Sequence, residues 1–145
     1  MSARASALAG QGPAIGLVFV GGMVGALARY GVELALPAAS GAFPWATFTV
    51  NIVGAFILGL LLESLVLAGP DTGMRRRARL FCGTGFTGAF TTYSSFAVEI
   101  GMLTHGGSAG VAAAYAAASL ATGLAVMAFG LWTANVARAA LGGAR

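Results

Sequence analysis

The chain has 145 residues, 58% of them hydrophobic and only 8% charged. A soluble domain carries about a quarter charged residues, so this composition excludes an ordinary water-soluble enzyme and makes lipid the natural solvent. The net charge of +4 comes from eight Arg and no Lys, gathered in one short loop and at the chain ends; a phosphate-binding face would spread them differently, which excludes nucleic acid as a partner.

Crossing about 30 Å of hydrocarbon takes about 20 helical residues. Four segments meet that length, at about 14–36, 43–67, 78–103 and 109–141, and they predict an all-α integral membrane protein with a single four-helix transmembrane domain, 1–145. The connections 37–42, 68–77 and 104–108 hold Gly, Pro, Ser and charge, as turns do. Such short links make consecutive helices antiparallel neighbours.

The first span imitates a signal peptide, with Arg4, an apolar run at 15–20 and then Ala26-Leu27-Ala28. The apolar run continues to Leu36, however, and cleavage would leave three spans, so the segment reads as a retained helix. Gly21 and Gly25 let a neighbouring backbone approach. Arg29 and Glu33 stand at i, i+4 near its end and form a pair.

In the second span Thr47 and Asn51 lie four residues apart on one helical face, with Gly54 and Gly59 further along. A neutral amide is able to hydrogen-bond a halide through its NH2 group. The blander reading, an interhelical hydrogen bond worth about 1 kcal/mol, is favoured on these residues alone. Glu63 here and Glu99 in the third span lie toward helix ends and are expected to reach the interface.

The third span is unusual, with three Gly and six Ser or Thr between Gly83 and Phe96. Each Gly weakens a helix interior by about 1 kcal/mol relative to Ala. Freed carbonyls at membrane depth are tolerated only under a cover of protein or around a water-filled cavity, so an interrupted helix near the midplane points to an ion site. Gly83-x-Gly85-x-x-Gly88 also matches the dinucleotide fingerprint, but no strand precedes it and no strand–helix alternation surrounds it. Cys82 has no partner for a disulfide or a metal site and reads as an apolar packing residue.

In the fourth span Tyr115, Ser119 and Thr122 recur at i, i+4 and i+7 as one polar stripe, beside the small residues 112–119. Ser and Thr in membrane helices often bond only their own i−4 carbonyl. No His/Cys/carboxylate cluster or Ser/His/Asp constellation supports catalysis.

Three stretches, in order, resemble the CrcB/Fluc fluoride channels. They are Gly21-Gly22-x-x-Gly25-Ala26-x-x-Arg29-Tyr30, then Phe43-Pro44-Trp45-x-Thr47-x-Thr49-Val50-Asn51-x-x-Gly54, then Gly85-Phe86-x-Gly88-x-x-Thr91-Thr92-Tyr93-Ser94-x-Phe96. The resemblance implies a fluoride-selective channel in the cell (inner or plasma) membrane that exports fluoride passively. It implies a dual-topology type of dimer, two four-helix subunits inserted antiparallel, each with its third helix broken and with anion pathways along the interface. A structural Na⁺ at the dimer centre would be held by the backbone carbonyls of Gly88 and Thr91. The anion pathway would involve Asn51, Tyr93 and Phe96, with Thr47 beside it, Tyr115 and Ser119 on a polar track and Arg29 near a vestibule.

Three departures from the family pattern stand out. Tyr93 replaces the usual Phe, and Gly123 stands where the track commonly has a second hydroxyl. Seven Arg (4, 75, 76, 77, 79, 138 and 145) fall on one side of a four-span topology, which places both termini in the cytoplasm. A homodimer of subunits inserted both ways should carry little such bias, so the partner is either a second copy or an oppositely oriented paralogue. Two other readings remain: a non-conducting partner subunit, and a small proton-coupled exporter of cationic drugs, for which Glu33 is the only first-helix carboxylate.

Overall fold

A computed structural model describes residues 11–142; Arg4 and Arg145, two of the residues on which the orientation rests, lie outside them. Every element among the described residues is helical. Pro13 sits in the first turn of α1 (Gly12–Ala35), where its missing N–H costs nothing. Helix α2 (Trp45–Ala68) follows, and it ends at Gly69, whose φ of 115° no β-carbon tolerates well. Next come the short α3 (Gly73–Ala78), a π-helical stretch (Arg79–Thr87), one α turn, α4 (Gly88–Phe90), and then α5 (Tyr93–His105). Gly107, at φ 81°, turns the chain into α6 (Ala109–Gly142).

Three of these helices, α1, α2 and α6, are long and apolar enough to cross a membrane. Their outward faces carry large apolar residues, with Leu27 69% and Leu124 71% exposed. The fourth hydrophobic segment differs from a continuous helix. It winds wide over Arg79–Thr87, where the Thr87 hydroxyl donates to the Cys82 carbonyl five residues back at 2.9 Å. It then leaves helical geometry at Thr91 (φ −83°, ψ 159°) and Thr92 (φ −147°, ψ 121°).

Glycine sets where these elements meet. A β-carbon on Gly85 would lie 2.6 Å from the Val18 carbonyl oxygen and 3.0 Å from Gly21 Cα, so α1 and the π-helical stretch touch backbone to backbone. Helices α2 and α6 do the same, since a β-carbon on Gly130 would lie 2.6 Å from the Phe56 carbonyl and one on Gly59 2.5 Å from that of Met127. Where apolar burial drives little association, such close approach supplies the packing. Gly85 of the third segment therefore serves contact, while the interruption itself falls on two threonines. The hydrophobic centre is small: Leu103, Ala112 and Tyr115 are buried against Phe43, Phe48, Phe96 and Ile100.

Candidate functional site

Asn51 meets the break directly. Its Nδ2 donates to the Thr92 carbonyl at 3.0 Å, and its Oδ1 accepts from the Thr92 N–H at 2.8 Å. The interhelical bond anticipated for this residue is therefore present, and it is double. One of the two Nδ2 protons takes part, and the other has no partner among the described residues. The Thr92 hydroxyl accepts from the Ser95 N–H at 3.1 Å and so caps α5.

Around this clamp lies a cavity of about 270 Å³, lined by Asn51, Thr91, Thr92, Tyr93, Phe96, Ser119 and Leu120. Four residues that sequence reasoning assigned to an anion pathway, Asn51, Tyr93, Phe96 and Ser119, thus share one wall. They come from α2, α5 and α6. The Ser119 hydroxyl is buried and makes no hydrogen bond among the described residues. An orphaned donor beside a cavity is the kind of group that a small anion satisfies. Tyr93 is 81% exposed, with its ring centroid 6.1 Å from that of Phe96. Gly123, one turn beyond Ser119, leaves its side of the track bare; the nearest atom to a β-carbon there would be Ile52 Cδ1 at 3.9 Å.

Thr47 and Tyr115 do not line that cavity. Both are buried, and both donate to Glu99: Thr47 Oγ1 to Oε1 at 2.6 Å, and the Tyr115 hydroxyl to Oε2 at 2.7 Å. Sequence reasoning placed Glu99 toward a helix end, and it lines a cavity there with Ser40, Gly41 and Ser108 of the adjoining turns; it also accepts the two hydroxyl hydrogen bonds, which sequence reasoning did not anticipate. Phe96 links the two groups, with its ring 5.1 Å from that of Tyr115 while it also lines the Asn51 cavity. Glu99 and Thr47 line a second cavity of about 330 Å³ together with Glu33 and Ser95.

Arg29 lies apart from the Asn51 cavity, its Nε 3.7 Å from Glu33 Oε1. Glu63 accepts from Asn135 Nδ2 at 2.9 Å in an exposed position. Outside the spans, Asp71 receives Arg79 Nε at 2.9 Å and Nη2 at 2.6 Å, and this hydrogen-bonded guanidinium holds its carboxyl below the usual value.

The break also bears on the cation site. Among the described residues the Gly88 carbonyl receives no backbone bond from Thr92, and the Thr91 carbonyl none from Ser95, since both N–H groups go to side chains. Carbonyl oxygens left open in this way are the ligand type that a hard cation takes, so these residues fit the Na⁺ that the resemblance implies.

Comparison with known proteins agrees with the motifs. The family model described as "CrcB-like protein, Camphor Resistance (CrcB)" matches residues 16–131. A protein of Leifsonia xyli named fluoride-specific ion channel FluC 2 is 49% identical over 115 residues, 79% of each chain. One of Cutibacterium acnes named FluC 1 is 48% identical, covering 75% of this chain and 76% of its own length. One of Chlorobaculum tepidum named FluC is 46% identical, over 77% and 86% respectively. With a family model across most of its length and relatives at this identity, the chain is a multi-pass membrane protein that belongs to the CrcB family.

Proposed function

We propose that this chain is a fluoride-selective channel subunit through which fluoride leaves the cytoplasm passively, lowering its toxicity. The observation that carries the reading is the meeting of Asn51, Tyr93, Phe96 and Ser119 around one cavity, in a chain whose relatives are named fluoride-specific ion channels. The Ser119 hydroxyl and the remaining Asn51 N–H are neutral donors, and the rings of Tyr93 and Phe96 offer electropositive edges. Weak, distributed donors suit conduction, because an ion must enter readily and leave readily. Thr47 and Tyr115 continue the pathway, where an arriving anion competes with Glu99 for their protons. Arg29 draws anions toward a vestibule. An inside-negative potential favours anion exit by about 2.3 kcal/mol per 100 mV, so neither nucleotide hydrolysis nor enzyme chemistry enters.

The architecture we propose has four transmembrane helices per subunit, the broken segment being the third, and two antiparallel subunits with anion pathways along their interface. Backbone carbonyls of Gly88 and Thr91 from each subunit would hold a structural Na⁺ at the centre, where its charge draws the carbonyl dipoles of two chains together. In the orientation that the arginines favour both termini lie in the cytoplasm, and in the antiparallel partner both lie on the opposite side.

A second reading shares the fold but gives the chain a fixed orientation and an oppositely inserted paralogue as partner. It is favoured by the placement of Arg75, Arg76, Arg77 and Arg79 where α2 hands over to α3, and of Arg138, which donates to the Leu67 carbonyl at that same end. That bias orients a membrane protein. Fluoride efflux from liposomes holding this chain alone, read with an electrode and with chloride as control, decides between the two. Rapid fluoride-selective efflux supports the homodimer. Silence alone, with efflux restored by the paralogue, supports the hetero-dimer, and equal chloride and fluoride rates refute both.

A further inference from the structure

We infer that Asn51 is a positioning residue for the cation site, acting through the backbone of Thr92 to hold the Gly88 carbonyl open. The inference rests on the proposed channel reading and assigns Asn51 a task beyond contact with the anion.

In a continuous α-helix the N–H of Thr92 would bond the carbonyl of Gly88, four residues back. The Asn51 carboxamide takes that N–H at 2.8 Å and fills the Thr92 carbonyl at 3.0 Å, so it satisfies both backbone groups of one residue from a neighbouring helix. Two consequences follow. Helix α4 is stopped at Phe90, because its next helical hydrogen bond has been diverted. The Gly88 oxygen is left with no N–H partner from Thr92, and an open carbonyl of this kind must find a cation, water or another donor. A matching diversion one turn on, from the Ser95 N–H to the Thr92 hydroxyl at 3.1 Å, opens the Thr91 carbonyl. The two oxygens proposed as Na⁺ ligands are thus freed by two polar side chains, Asn51 from outside the segment and Thr92 from within it.

Close packing keeps the clamp from slipping. Gly54, less than one turn further along α2, meets Thr91 Cγ2 so closely that a β-carbon would collide with it. Asn51 and Gly54 therefore hold the same point of the break, one by hydrogen bonds and one by contact. No charged side chain takes part, so α2 can steer a cation ligand without presenting a charge to an anion pathway.

The test uses the whole protein in detergent, with Na⁺ as the probe and thermal unfolding as the readout. The midpoint is measured across a NaCl series at constant ionic strength in choline chloride. Wild type should rise with Na⁺. Asn51→Leu, which neither accepts nor donates, should need about tenfold more Na⁺ for half the effect, the change expected when one hydrogen bond is lost. Asn51→Asp still accepts the Thr92 N–H but cannot donate, so it should keep the Na⁺ dependence while losing fluoride flux. A wild type insensitive to Na⁺ overturns the cation site itself and this inference with it. A wild-type response that persists in Asn51→Leu overturns the inference alone. If Asn51→Leu does not fold, Asn51→Asp decides, and loss of its Na⁺ dependence refutes the assignment.

Discussion

Replacing Ser119 by Ala should raise stability and lower fluoride flux together. The hydroxyl is buried with no partner among the described residues. Leaving such a group unsatisfied costs about 1–3 kcal/mol. Ala is also the better helix former, by about 0.5 kcal/mol. Against this stands the loss of one oxygen atom's contacts, a few tenths of a kcal/mol at typical pair energies. The net expectation is a gain of about 1–3 kcal/mol, read as a higher thermal or denaturant midpoint in detergent without fluoride. For the permeating anion the same atom is a donor, and a hydrogen bond to a charged species is worth about 1.5–3 kcal/mol, so removing it should slow efflux about tenfold or more. Both readouts are needed on one preparation. A variant less stable than wild type with unchanged flux would show that Ser119 has a partner in the resting protein and that the orphaned donor is not part of the pathway.

Four further substitutions test separate parts of the structure. Gly123→Ser adds a hydroxyl to the track where the nearest atom to a β-carbon would be 3.9 Å away; it should fold at least as well as wild type, gaining about 0.5 kcal/mol in helix propensity, and should speed efflux, whereas slower flux would count against a polar track on α6. Gly85→Ala forces Val18 and the π-helical stretch apart, because backbone atoms 2.6 and 3.0 Å from the new carbon cannot rotate away; a loss of about 1–3 kcal/mol is expected, and a neutral result in a denaturant series would refute the backbone contact. Glu99→Gln keeps one acceptor oxygen for either Thr47 or Tyr115 and sets an NH2 donor against the other hydroxyl, which loses its acceptor, for a loss of about 1–3 kcal/mol, measured by unfolding. Arg79→Gln should bring Asp71 back toward the ordinary carboxylate range: the lowered pKa means that this contact stabilises the fold above the usual Asp value and is lost as pH falls through the folded one. A pH series of unfolding midpoints that superimposes on wild type between about pH 5 and 2 would contradict the contact.

Much of the helical order was legible because lipid demands long apolar runs. Gly69 and Gly107 fall in the connections 68–77 and 104–108 that the sequence announces as turns. Of the seven residues that the resemblance assigns to the anion pathway, Asn51, Tyr93, Phe96 and Ser119 line one cavity, while Thr47, Tyr115 and Arg29 lie outside it. Less legible was the cause of the break. Glycine's poor propensity drew attention to Gly83, Gly85 and Gly88, yet the chain leaves the helix at Thr91 and Thr92 because a side chain 41 positions away competes for a backbone N–H. Propensity describes one segment, and a competing acceptor on another helix lies outside its reach. The two hydrogen bonds to Glu99 escaped for a similar reason, since its donors sit on α2 and α6. The π-helical winding has no counterpart in periodicity and emerges only with the packing of Gly85 on α1.

The arginines at the end of α2 are unequal in what they leave open to evolution. Arg75 donates to the carbonyls of Ala68 and Pro70 at 2.8 Å each, and Arg138 donates to that of Leu67, satisfying carbonyls at the end of the helix. Arg76 and Arg77 have no side-chain bond or ion pair among the described residues. A lineage drifting toward insertion in both directions must shed positive charge, and it can lose these two without disturbing α2. Shedding Arg75 or Arg138 exposes the helix end as well. Orientation is thus partly free to change and partly locked to folding, and the lock should be visible as tolerance at positions 76 and 77 beside intolerance at 75 and 138 in a mutational scan.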